Sequence, residues 1–106
     1  MDIGKTEITD QINELLTKLR NAGFAIREAY LFGSFLKSED YNDVDLALVS
    51  DQFSGIRFFD LKSILDSVNN YSPDIDLHPF RTTDFYDEDN FFAQEIIEHG
   101  KQIIIN

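Results

Sequence analysis

The spacing of hydrophobic positions changes several times along this chain, and each change marks an element. Between residues 6 and 22, Ile8, Ile12, Leu15, Leu16 and Leu19 fall on one side of a 3.6-residue period, which predicts an amphipathic helix. Thr6 is placed to cap its start, and Gly23 to end it in a left-handed conformation. The pattern then shortens to a continuous apolar run, and Glu28 to Gly33 reads as a buried strand. A polar loop, Ser34 to Asn42, leads into a second strand from Asp43 to Val49. That loop has no helical period, and a parallel crossover usually needs roughly a dozen residues or more, so the two strands should pair antiparallel.

Helical spacing returns from 56 to 69, with Phe58, Leu61, Ile64, Leu65 and Val68 on one face. The run Asn69-Asn70-Tyr71-Ser72-Pro73 breaks it, because Asn, Ser and Pro favour turns. A third strand is expected from Asp74 to Phe80, with Pro79 marking its end or a sheet edge. Residues 81 to 88 read as an acidic loop. A last helix, 89 to 99, carries Phe92, Ile96 and Ile97, with Asp87, Glu88 and Asp89 at its start and His99 at its end, as the helix dipole favours. Gly100 should cap it, and Gln102 to Ile105 should close the chain as a short strand. The order is α-β-β-α-β-α-β. It predicts an α+β fold, a small mixed sheet with helices packed mainly on one face. No repeat or linker interrupts it, so residues 1–106 are expected to form a single domain.

Charge narrows the function. Twenty acidic residues against nine Lys and Arg give a net charge of −11. Such a surface repels phosphate backbones, so stable nucleic-acid binding is not expected. A small nucleotide remains possible where metal ions neutralise its phosphates, and a basic protein partner would be suited. Cysteine is absent, which removes disulfides and thiolate metal sites. No apolar run approaches the ~20 residues that span a bilayer. Met1-Asp2-Ile3-Gly4-Lys5 lacks the regions of a secretory signal, so a cytoplasmic protein is expected.

The candidate chemistry centres on residues 31–46. Asp43 and Asp45 alternate on a strand and should share one face. Like charges so placed disfavour each other unless neutralised. A pair of divalent cations about 3.5–4 Å apart would do so and would activate an in-line phosphoryl displacement. Aspartate oxygens suit magnesium. The ordinary alternative is the solvated face of an edge strand. Gly33 lets a ligand approach the backbone closely, and Ser34 offers a hydroxyl and an N–H to a phosphate. Hairpin-like pairing would bring these residues beside Asp43 and Asp45. Asp76, between Ile75 and Leu77, is the candidate third carboxylate and general base. Asp74 belongs mainly to the turn. His78 shares the face of Asp76 and reads first as a structural histidine. His99 reads as a helix-end charge.

Leu31-Phe32-Gly33-Ser34-Phe35-Leu36-Lys37 followed by Asp43-Val44-Asp45-Leu46 resembles the signature of minimal nucleotidyltransferases of the DNA polymerase β superfamily. Ile75-Asp76-Leu77-His78-Pro79-Phe80 and Glu95-Ile96-Ile97-Glu98-His99-Gly100 resemble later stretches of the same domains. The resemblance implies a polymerase β-like fold and metal-dependent transfer of a nucleoside monophosphate from an NTP, ATP foremost, to a hydroxyl. It places Gly33, Ser34 and Lys37 at the phosphates. It places two Mg2+ ions on Asp43 and Asp45, with Asp76 joining the catalytic metal and deprotonating the acceptor. Among the small prokaryotic members a common arrangement is antitoxin, in which the domain pairs with a helical HEPN-type ribonuclease toxin and can attach AMP to its tyrosine, and the resemblance implies such a role here. A separate partner protein is the expected acceptor, consistent with a domain this short.

The chain departs from the pattern at Ser38, where the family commonly has glycine, and in a shorter loop before Asp43. That motivates a second expectation: a binding subunit of the same fold that neutralises a helical partner by contact. The adjacent pairs Phe58-Phe59 and Phe91-Phe92 are its candidate surface. A third is an acidic mimic of nucleic acid. Tyr41 stands near enough to the motif to stack on a base.

Overall fold

Side chains alternate across a strand, and here the alternation sorts the core into two parts. The computed structural model describes residues 3–33, 44–68, 75–103 and 105, with side chains from residue 8 onward. Helix α1 spans Ile3–Asn21, strand β1 Glu28–Phe32, β2 Val44–Ser50, helix α2 Arg57–Ser67, β3 Ile75–Arg81, α3 Thr82–Phe85, α4 Phe91–His99 and β4 Lys101–Ile103. The sheet order is β3-β2-β1-β4. As expected, β1 and β2 pair antiparallel. β4 adds antiparallel to β1, and β2 and β3 run parallel because α2 crosses between them. The sheet is mixed, and Pro79 lies on an edge strand, where a missing N–H is tolerated.

Val44, Leu46 and Leu48 of β2 point to one face. There they pack with Ile12, Leu15 and Leu19 of α1 and Ile64 of α2. Each is fully buried, and burying an aliphatic side chain of this size stabilises by about 1.5–3 kcal/mol. Ala47 and Val49 point the other way, into a smaller cluster with Tyr30, Phe85, Ala93 and Ile96. The two long helices therefore share one face, as the pattern predicts, and the shorter α3 and α4 cover the other.

Several boundaries differ from expectation. α1 already runs from Ile3, so Thr6 lies within it and is not its cap. Gly23 does end the helical segment at φ 97°, its N–H donating to Arg20 O at 3.0 Å. The expected acidic loop contains α3, a single turn too short to show a period, and it delivers the fully buried Phe85. α4 begins after the acids Asp87–Asp89, and Asn90 caps it by accepting from Ala93 N at 3.2 Å. On α2 the contact with the sheet is narrow. Ile64 is buried, but Phe58 and Leu65 are 70% and 48% exposed, against the expected buried face.

Tyr30 is buried, and its hydroxyl donates to Glu28 Oε2 at 3.1 Å. Tyr86 donates to the other oxygen of the same carboxylate. Burial, and then the bond to Glu28 and its negative charge, raise the Tyr30 hydroxyl above its ordinary pKa.

Candidate active site

Three adjacent strands bring Gly33, Asp45 and Asp76 together. Phe32, the last residue of β1, pairs with Asp45 on β2, and Asp45 pairs with Asp76 on β3. Val44 and Leu46 are locked into the aliphatic face, so Asp45 must point to the opposite one. Ile75 and Leu77 do the same for Asp76. His78 stands opposite Ala47 and shares that face.

Gly33 has φ 84° and lies directly against the Asp45 carboxylate. A Cβ there would run into Asp45 Oδ2 and sit 3.4 Å from its Cγ. The glycine is required both by its left-handed backbone and by this close approach.

His78 Nε2 is 3.1 Å from Asp45 Oδ1 and 3.4 Å from Asp76 Oδ2. Its ring is held by Phe32 and Phe92, with centroids 4.9 and 5.9 Å away. Arg57, the first residue of α2, completes the group: Nη1 is 3.1 Å from His78 Nδ1, and Nη2 is 3.8 Å from Asp76 Oδ1. Its helix start is fixed by the buried Asp60. That carboxylate accepts from Ser54 N at 2.8 Å, Ser54 Oγ at 2.9 Å and Gly55 N at 3.1 Å, which ties down the turn before α2.

Recesses flank the group on two sides. One of about 400 Å³ is lined by Gly33, Phe32, Phe92 and Ile96. Another of about 420 Å³ is lined by Arg57, His78, Phe80, Arg81 and Phe92. Both volumes lie in the range of small-molecule sites.

The arrangement fits a divalent cation. One potential ligand atom from each of Asp45, Asp76 and His78 lies within 4.8 Å of the others. The carboxylate oxygens are hard donors of the kind magnesium takes. Arg57 at 3.8 Å offsets only part of their charge, and both carboxylates remain partly open, at 27% and 52% exposure. A second group, Glu95, Glu98 and His99, is exposed at the end of α4. There His99 lies 3.9 and 3.8 Å from the two glutamates, and it reads as the helix-end charge the sequence predicts.

Of the expected site residues, the structure brings Gly33, Asp45 and Asp76 together. Asp43, Ser34 and Lys37 lie outside the described residues, as do Ser38, Tyr41 and Asp74. His78, read first as structural, stands between the two carboxylates. Arg57 escaped the sequence reading altogether. Its signal was its position: a cation at the first residue of a helix opposes the helix dipole, so its place there calls for a partner elsewhere.

No curated protein and no solved structure matches the chain. No helix among the described residues is long and apolar enough to cross a membrane. Residues 10–106 match the family described as Polymerase beta, Nucleotidyltransferase. A family match over nearly the whole chain, on a mixed sheet whose neighbouring strands present Gly33, Asp45 and Asp76 to one point, places this protein in that nucleotidyltransferase family.

Proposed function

We propose that the chain transfers AMP from ATP to a hydroxyl on a partner protein in the cytoplasm, and that the partner is a helical HEPN-type toxin which the modification silences. The observation that carries the reading is the pairing of Asp45 with Asp76 across β2 and β3, with Gly33 pressed against Asp45.

Asp45 and Asp76, with Asp43, would hold two magnesium ions, which when bound neutralise the phosphates and favour in-line displacement. Gly33, which lines the recess beside β1, would receive the terminal phosphates, with Ser34 and Lys37 in the roles the family resemblance implies. Asp76, half exposed at 52%, takes the proton of the acceptor hydroxyl. The acceptor oxygen forms a bond to the α-phosphorus as the α–β phosphoanhydride bond breaks, and pyrophosphate leaves.

The test is transfer of labelled AMP to a co-expressed helical partner by the wild type, Asp45→Asn, Asp76→Asn and the double variant. Loss of label in the folded variants is expected. Undiminished labelling by the double variant would falsify the mechanism.

A second reading is favoured by one surface. Ile56, Phe58, Phe59 and Leu65 are 53%, 70%, 56% and 48% exposed on and beside α2. A binding subunit would use this patch to neutralise its partner without chemistry. In that case Asp45→Asn/Asp76→Asn still protects cells from the partner, and Phe58→Ser/Phe59→Ser does not. The opposite pattern rejects the second reading.

A further inference from the structure

The recess beside Gly33 combines an apolar floor with an acidic rim. Phe32, Phe92 and Ile96 line it, with Ile96 buried and Phe92 presenting a half-exposed ring. Glu95 and His99 line it too, and both are exposed. No Lys or Arg lines it among the described residues. Lys101 follows closely on β4, but it pairs with Leu31, whose side chain packs into the aliphatic cluster, so Lys101 is turned to that opposite face.

The rim carries charge that its own helix does not favour. Glu98 stands in the last turn of α4, where the helix dipole disfavours an acid, and Glu95 lies about one turn before it on the same side. His99 is 3.9 and 3.8 Å from the two carboxylates, too far for a hydrogen bond. Both carboxylates are open to water and have room for a cation from outside. A hydrated metal ion would gain nothing from the apolar floor. A guanidinium on an aliphatic stem matches both parts: its plane stacks on the Phe92 ring, its N–H groups reach the carboxylates, and its stem covers apolar surface.

We propose that this recess receives an arginine side chain of the partner protein. The inference rests on the reading of a protein acceptor above and names the chemistry of one contact with it. The net charge of −11 favours a partner with a basic surface. Gly33 lines the same recess, so an arginine seated there contacts Glu95 and, when ATP is bound, the terminal phosphates as well. Partner and nucleotide then strengthen each other's binding.

Two measurements test this. The first titrates n-butylguanidinium into the 15N-labelled full chain, with EDTA present and ionic strength held constant. Amide shifts are expected to concentrate at Gly33, Glu95, Ile96 and His99. Glu95→Gln/Glu98→Gln, which alters exposed side chains only, is expected to weaken the probe about fivefold. The uncharged isostere n-butylurea should give smaller shifts. Shifts spread over the whole acidic surface, equal shifts with n-butylurea, or unchanged affinity in the variant overturn the inference. So does a separate titration without EDTA in which Mg2+ moves these signals and the guanidinium does not, since that marks a metal site.

The second measures labelled AMP transfer to the purified helical partner. Glu95→Gln/Glu98→Gln is expected to raise KM for the partner about fivefold without raising KM for ATP. Transfer with an unchanged partner KM overturns the inference and leaves the proposed function standing. If wild type labels nothing while the probe binds as expected, the proposed function fails and the recess keeps its assignment to a guanidinium ligand.

Discussion

The two faces of β2 can be compared residue by residue. Val44, Leu46 and Leu48 meet α1 and α2 in an aliphatic layer from which water is excluded. Asp45, Ala47 and Val49 alternate with them and face α3 and α4, among Tyr30, Phe80, Phe85, Phe92 and His78. The first face is filled by branched side chains without polar atoms. The second is built from rings around a small residue, Ala47, and opens at Asp45 into the recess beside Gly33. One strand thus serves stability on one side and carries the candidate site on the other, and the two should respond separately to substitution.

The largest effect should come from the aliphatic face. Leu46→Ala is expected to lower unfolding free energy by about 2–5 kcal/mol in denaturant titrations. Asp45→Asn, one residue away, is expected to leave stability nearly unchanged while abolishing the proposed AMP transfer. Comparable destabilisation by the two would break the division between the faces.

Next comes the support beneath Arg57. Asp60→Ala leaves the N–H groups of Ser54 and Gly55 without their acceptor, at a cost of about 1–3 kcal/mol. It should also weaken transfer, by freeing the start of α2. Loss of stability with full activity would show that Arg57 does not depend on that turn.

Gly33→Ala forces a left-handed backbone on an L-residue, at roughly 1–2 kcal/mol, and pushes Asp45 aside. Its calorimetric Mg2+ affinity should therefore fall by more than that of Gly23→Ala, where a Cβ meets nothing within 4 Å.

The smallest effect is at the far end of the second face. The Tyr30 hydroxyl is held above its ordinary 10.0, so the unfolded chain releases that proton first. Stability should then be fully present below pH 10 and decline as pH rises through it, and Tyr30→Phe should flatten this part of the profile.

What the sequence shows and what it hides follow from distance along the chain. The α1 face, the β1–β2 pairing and the turning of Asp45 and of Asp76 away from their own apolar neighbours rest on local period and on strand alternation, both written in neighbouring residues. Asp76 is legible because apolar residues flank it. Arg57 meets His78 only after α2 has crossed the sheet, and no local pattern announces such a contact. α3 is one turn long, below the length at which a period shows. Phe58 and Leu65 match the helical period but are exposed, because period identifies a face and not the area its neighbour covers.

The placement of Asp45 and Asp76 on different strands of a parallel pair has a thermodynamic consequence. The two carboxylates approach only when the whole β2–α2–β3 crossover has closed, so an unfolded chain has no equivalent of this site. Any divalent ion bound there adds RT ln(1 + [M]/Kd) to the stability of the native state. Melting temperature is then a titratable readout of occupancy, one that needs neither nucleotide nor partner.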